Sequence, residues 1–131
     1  MERLLIALNV WVYRMVRGGP MTGSLLLLTT TGRKSGKLRV SPLGYIRDGD
    51  GYVVVASNGG RDRMPGWYYN LKARPDVAVQ VGDRRFRAVA QEVDAGRRSQ
   101  VWEALIRERP RYQGYQQKTS RVIPLIRLTP A

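Results

Sequence analysis

Residues 24–57 read SLLLLTTTGRKSGKLRVSPLGYIRDGDGYVVVAS. The run SLLLLTTT at 24–31 is short, apolar and rich in strand formers, which predicts a buried strand. GRKSGK turns the chain. LRVSPLGYIR at 38–47 predicts a second strand, with Pro42 marking a bulge or an edge, because proline cannot donate to a ladder. DGDG at 48–51 is a hairpin signal, and YVVVAS at 52–57 predicts a third strand. Hairpin following hairpin points to an antiparallel sheet rather than to βαβ units.

The rest of the chain extends that pattern. Pro65 suits the opening of a short helix, GWYYNLKA at 66–73, which Arg74-Pro75 ends. DVAVQV at 76–81 and RRFRAVAQEV at 84–93 flank Gly82-Asp83, a second hairpin. Asp94 is placed to cap a helix over 95–109, with Val101, Leu105 and Trp102 inward, and Pro110 ends it. Residues 111–120 read as a polar loop, and VIPLIRL at 122–128 as a last strand. Toward the N-terminus, Leu4, Leu5, Leu8, Trp11, Val12 and Met15 recur at helical spacing, flanked by Arg3, Arg14 and Arg17. Residues 1–17 therefore read as an amphipathic helix that packs on the domain or rests on an anionic membrane surface. The expected architecture is one domain over 1–131, mainly β: about six antiparallel strands closing into a small barrel, with helices at the rim.

Composition narrows the function. The 131 residues suit one core, and 43% hydrophobic residues argue against disorder. No apolar run reaches the ~18 residues a membrane-spanning helix needs. No signal-peptide cleavage pattern follows the first apolar stretch, and cysteine is absent, so a cytoplasmic protein is expected. Histidine is absent too. That removes the usual zinc and haem ligands and any Ser-His-Asp or Cys-His triad, so an enzyme of this composition would take its chemistry from an organic cofactor. The formal charge of +13 calls for an anionic partner. No helix-turn-helix, RNP-type or zinc-knuckle motif supports nucleic acid as that partner.

The charge is densest in the turn, where Arg33, Lys34, Lys37 and Arg39 lie within seven residues without an acid. The turn is no Walker A loop: three residues, not four, separate Gly32 from Gly36, and Leu38 follows Lys37. It still has what a phosphate needs, namely glycine N–H groups, the hydroxyls of Thr31 and Ser35, and guanidinium groups. An anion site and a plain basic turn are equally consistent with the residues alone. Other positions are similarly open. Trp67, Tyr68 and Tyr69 suit either core or ligand stacking. Ser57 suits either a turn cap or a bond to a planar ring. Tyr112 and Tyr115 suit either a pocket mouth or surface packing.

Three stretches taken together resemble a known family: LLTTTGRKSGKLRVSPL, VVVASNGGRDRMPGWYYNLKARPDVAVQV and RYQGYQQKTSRVIPLIRL. They are similar to the deazaflavin-dependent nitroreductases, group A of the flavin/deazaflavin oxidoreductases, over about residues 25–128. The resemblance implies a split β-barrel of the FMN-binding-protein type and coenzyme F420, a 5-deazaflavin with a phosphate and an oligoglutamate tail. FMN is the alternative cofactor. It implies hydride transfer to a quinone, nitroaromatic or enone-type acceptor. By matched position, Arg33, Lys34, Ser35, Arg39, Val40, Ser41, Pro42 and Leu43 would hold the phosphate and tail side. Val55, Ala56, Ser57 and Asn58 would lie along the ring, and Gly66, Trp67, Tyr68, Tyr69 and Asn70 would close the site. Tyr112 would border cofactor and acceptor, with Tyr45 and Tyr115 in the acceptor pocket. The hydroxyl of Tyr112 or Ser57, or water, would supply the accompanying proton. Two positions depart from the family's pattern: Asn58 stands where relatives often carry lysine, and Gly44 where some carry an aromatic residue. The competing reading is a non-catalytic or FMN-using barrel that binds a lipid or quinone at the membrane surface.

Overall fold

The computed structural model describes residues 25–131. The strands are β1 (Leu25–Thr31), β2 (Leu38–Asp48), β3 (Gly51–Val55), β4 (Asp76–Val81), β5 (Arg84–Glu92) and β6 (Leu125–Pro130). They close into a barrel in the order β1-β2-β3-β6-β5-β4, with every pairing antiparallel. The helices are α1 (Gly66–Ala73), α2 (Ala95–Glu108) and α3 (Arg111–Gln117). The expected small barrel with helices at its rim is thus the observed fold. The expected N-terminal helix over 1–17 lies outside the described residues.

Apolar side chains serve two cores. Leu26, Leu28, Tyr52, Val54, Val77, Val79, Ala88, Ala90, Ile126 and Leu128 fill the barrel, and Trp67 and Leu71 of α1 complete this cluster. Truncating Leu71, which is 2% exposed, would cost about 2–5 kcal/mol through lost transfer energy and a residual cavity. A second cluster lies outside the barrel wall, where Ile46, Val53, Val55, Ile123 and Leu125 meet Val101 and Leu105 of α2 and Tyr112 of α3. Residues 52–55 are covered on both faces, so their sequence is a continuous apolar run rather than an alternation. In β5 the alternation is visible: Ala88 and Ala90 point in, while Arg85, Arg87 and Val89 are exposed.

β2 changes partner part-way. Leu38–Gly44 pair with β1, and Tyr45–Asp48 pair with β3. Pro42 therefore stands where the strand has a neighbour on one side only, in agreement with its reading as an edge residue.

Three expectations need correction. The third strand ends at Val55 rather than Ser57, and the chain enters a 3-10 turn at Asn58–Gly60. Residues 111–117 are helical rather than loop. No apolar periodicity announces this seven-residue helix; it is stabilised by tertiary packing, as Tyr112 buries in the outer cluster and the Gln116 side chain donates to Arg121 O and accepts from Ile123 N. That last bond also holds 122–123 out of the ladder. The final strand starts only at Leu125, after Pro124, whose carbonyl accepts from Ala56 N.

Charge pairing ties α2 to the barrel. Asp48 accepts from Arg97 of α2 at 3.2 Å and from Arg127 of β6 at 2.8 Å, and Arg127 also reaches Asp50 at 2.9 Å. Burial pushes the Asp48 carboxyl upward, but the hydrogen bonds from Arg127 and Arg97 outweigh it and hold the group below its usual value. The folded-state pKa is depressed, so the stabilisation is full above about pH 3.9, the unfolded value, and disappears as pH falls through the lower folded value. Asp48→Asn should therefore lower stability by about 1 kcal/mol at pH 7. Thermal melts of the two proteins should converge as pH falls below the lowered folded-state value, where the wild-type carboxyl has also lost its charge. A gap that persists unchanged into acid would exclude this origin.

Candidate functional site

The unpaired edge of β2 opens onto a groove. At one end a cavity of about 610 Å³ is lined by Arg33, Leu38, Arg39, Val40, Ser41, Gly66, Trp67 and Asn70. At the other, one of about 320 Å³ lies among Pro42, Leu43, Gly44, Val55, Ser57, Asn58, Trp67, Tyr112 and Tyr115, with Arg61 and Arg111 also on its wall. Trp67 borders both, so a single extended molecule can pass from one to the other. A third hollow, beside Arg33, Asn58, Pro65, Gly66 and Tyr69, adjoins them along the start of α1.

The basic turn is built to hold its shape. Gly32 N donates to Lys37 O at 2.7 Å, and Gly36 N to Gly32 O at 2.9 Å. Asn70 of α1 reaches across to it: its Oδ1 accepts from Arg33 N at 3.1 Å, and its Nδ2 donates to Thr30 Oγ1 at 3.2 Å. Asn70 is itself buried, so α1 fixes where the turn begins. The Arg33 guanidinium lies over the Tyr69 ring, 4.8 Å from its centroid, which orders a long side chain at the cavity rim.

Most of the residues singled out from the sequence line these hollows: Arg33, Arg39, Val40, Ser41, Pro42, Leu43, Val55, Ser57, Asn58, Gly66, Trp67, Tyr69, Asn70, Tyr112 and Tyr115. Five do not. Lys34 points to solvent. The Ser35 hydroxyl folds back into the turn and accepts from Lys37 N at 3.1 Å. Ala56 is fully buried. Tyr45 packs against the barrel core, edge to face with Tyr52. Tyr68 faces β5 and donates to Glu92 Oε1 at 2.9 Å. Burial first, then that bond to Glu92, pushes the Tyr68 hydroxyl up to about 12, so it keeps its proton throughout the physiological range.

Sequence reading missed the arginines. Arg61 and Arg111 line the smaller cavity. Arg109 donates through Nε to Tyr45 O at 2.9 Å. Arg121 organises the loop that carries Ser57 and Asn58. It donates to Arg61 O at 2.9 Å, Ala56 O at 3.1 Å, Ser57 O at 2.9 Å and Arg63 O at 3.2 Å, and touches Met64 Sδ at 3.2 Å. A planar fork with five N–H donors suits this task, and a lysine would not reproduce it. The loop also leans on α3, because a Cβ on Gly60 (φ +84°) would meet Tyr115 O at 2.8 Å.

The sequence matches the model of the F420H(2)-dependent quinone reductases over residues 6–130. The chain belongs to that family. An F420H(2)-dependent quinone reductase of Mycobacterium tuberculosis strain H37Rv is 42% identical over 133 aligned residues, covering 95% of this chain and 89% of its own. A solved F420-H2-dependent reductase, FDR-A, superposes with a TM-score of 0.74 at 40% identity, covering 80% of this chain and 93% of its own. A chain described as a domain-swapped dimer gives 0.76 at 35% identity, over 93% of this chain and 96% of that one. The haem storage protein HutZ of Vibrio cholerae, 20% identical with a TM-score of 0.64, shares the fold. This family member is an oxidoreductase, and its cofactor is coenzyme F420.

Arg121→Ala should lower stability by about 2 kcal/mol, because several carbonyls lose a charged donor at once. Amide exchange should rise over 56–64 while the barrel strands stay protected. Exchange that rises uniformly would mean Arg121 supports the fold at large and has no special hold on the loop.

Proposed function

We propose that this chain is a coenzyme F420-dependent reductase whose acceptor is a quinone, with nitroaromatic and enone-type compounds within its chemical reach. The observation that carries the reading is the groove itself: exposed guanidinium groups at one end and a cavity walled by Pro42, Leu43, Val55 and Trp67 at the other, with Trp67 on the wall of both. A flat ring on a polyanionic tether requires that sequence of environments. When bound, reduced coenzyme F420 supplies a hydride, and the quinone leaves as hydroquinone after gaining that hydride and a proton.

The chain's own residues have three tasks in this reading. Arg33 and Arg39 hold the phosphate and tail by charge-assisted hydrogen bonds, with the Ser41 hydroxyl beside them. Pro42, Leu43, Val55 and Trp67 pack on the ring and exclude water from the transfer, while Ser57 and Asn58 orient its polar edge. Tyr112, 7% exposed at the cavity wall, would hand the acceptor its proton through the phenolic hydroxyl, with solvent as the ultimate source. Lys34, exposed on the turn, contributes only to the surrounding field. No helix among the described residues is long and apolar enough to cross a membrane. The arginine-flanked stripe over 3–16 fits docking at an anionic membrane surface.

Fluorescence titration tests the cofactor assignment. Coenzyme F420 should bind at least about tenfold more tightly than FMN, which lacks the anionic tail, and Arg39→Ala should remove about tenfold of its affinity. The same variant should leave unchanged the affinity for the deazaflavin chromophore without phosphate or tail. Equal affinity for FMN and coenzyme F420, or an Arg39→Ala titration matching wild type, would refute it. Deleting residues 1–17 should lower co-sedimentation with anionic liposomes; an unchanged pellet fraction would end the membrane role.

A further inference from the structure

We propose that the acceptor end of the groove selects acceptors bearing an anionic substituent, such as a carboxylate, a sulfonate or an ionised ring hydroxyl. The inference rests on the reductase reading and adds the charge class of its substrate. Its starting point is Gly44, where β2 leaves β1. A Cβ built there would lie 2.8 Å from Tyr112 Oη, 3.5 Å from Arg109 Nη1 and 3.7 Å from Arg111 Nη2. Three hydrogen-bond donors from the α2–α3 junction therefore meet over the one residue of β2 that has no side chain. Any larger residue would displace the phenol, so glycine here keeps a polar, donor-rich corner open.

The corner is cationic, and among the described residues no carboxylate pairs with Arg61 or Arg111. Arg61 enters from the loop after β3 and Arg111 from α3, and no carboxylate is among the described residues that line this cavity. Two other arginines are matched by acids, by contrast: Arg127 meets Asp48 and Asp50, and Arg97 meets Asp48. Arg61 has only a 3.5 Å contact to the neutral Asn58 side chain, and Arg111 stands over the Tyr112 ring at 5.7 Å. Behind the loop, Arg121 spends its donors on neutral acceptors, so its charge adds to the same field. Arg109 is held in place by its bond to Tyr45 O. Both side chains are exposed, but a cleft lined by one sign of charge focuses its field and attracts an anion more strongly than the same groups spread over an open surface. The cofactor's own anionic groups are served by Arg33 and Arg39 at the opposite end, beyond Trp67.

The test uses two unreactive probes of similar shape, naphthalene-2-sulfonate and 2-naphthalenemethanol, on protein saturated with oxidised coenzyme F420. Binding is read by calorimetry, and each probe is also run as a competitor of menadione during turnover. The sulfonate should bind at least about tenfold more tightly, and raised salt should shrink the ratio. Arg111→Gln should bring the ratio below about threefold, as should Arg61→Gln from a separate element. Arg85→Gln, the same charge change on the exposed face of β5, should leave it intact. Equal binding of the two probes to wild type, or a ratio that survives both cavity variants, would overturn the proposal while coenzyme F420 binding still stands. Loss of coenzyme F420 affinity in Arg111→Gln would also overturn it, by assigning these cations to the cofactor. Failure of wild type to bind coenzyme F420 at all would remove the reductase reading and this inference with it.

Discussion

At Gly44–Tyr45, β2 stops pairing with β1 and starts pairing with β3. Barrel closure requires this exchange, because one long strand must serve two neighbours in succession. The exchange leaves the Leu38–Gly44 half of β2 with a free side, and that free side is the groove. Six successive residues, from Arg39 to Gly44, line one or other of its cavities. Opening the groove costs ladder hydrogen bonds, and an exposed edge of this length also invites unwanted pairing. Pro42 meets both problems, since it needs no partner for a backbone N–H and cannot template another strand.

The groove is then completed by elements that have little fold logic of their own. α1 enters because Trp67 and Leu71 belong to the barrel core, and it brings Asn70 to the basic turn and Tyr69 to Arg33. α3 enters because Tyr112 belongs to the outer core, and it brings Arg111 with it. In both cases a buried aromatic residue is the anchor and its sequence neighbours inherit a place on the cavity wall. The polar residues of the site therefore depend on apolar burial that stabilises the fold.

This dependence explains what could be read in advance. The strands of the barrel were legible because apolar runs and DG-type turns are local signals, and the turn at 32–37 was legible because four cations without an acid are conspicuous. Gly66, Trp67, Tyr69 and Asn70 line the hollows, where likeness to a family pattern had put them. Tyr45 and Tyr68 were expected at the site, yet one side chain packs in the barrel and the other bonds Glu92, because a strand or helix directs neighbouring residues to different faces. α3 was illegible, since its seven residues carry no periodicity and form a helix through contacts made elsewhere in the chain. Arg61, Arg109, Arg111 and Arg121 were illegible for a different reason. In a sequence with 23 lysines and arginines, convergence in space is what singles these out.

Arg121 shows how structure and charge coincide in this protein. Its guanidinium could have been neutralised by an acid, as Arg127 is by Asp48, and the loop would then have been fixed with no net field. Instead it is satisfied by backbone carbonyls, whose dipoles stabilise the cation without cancelling its charge at a distance. The loop gains rigidity, and the cavity in front of it gains positive potential, from one side chain. Folding alone required only the first of these. If the acceptor is anionic as proposed, carbonyls serve better than a carboxylate, because they order the side chain and leave its charge in place.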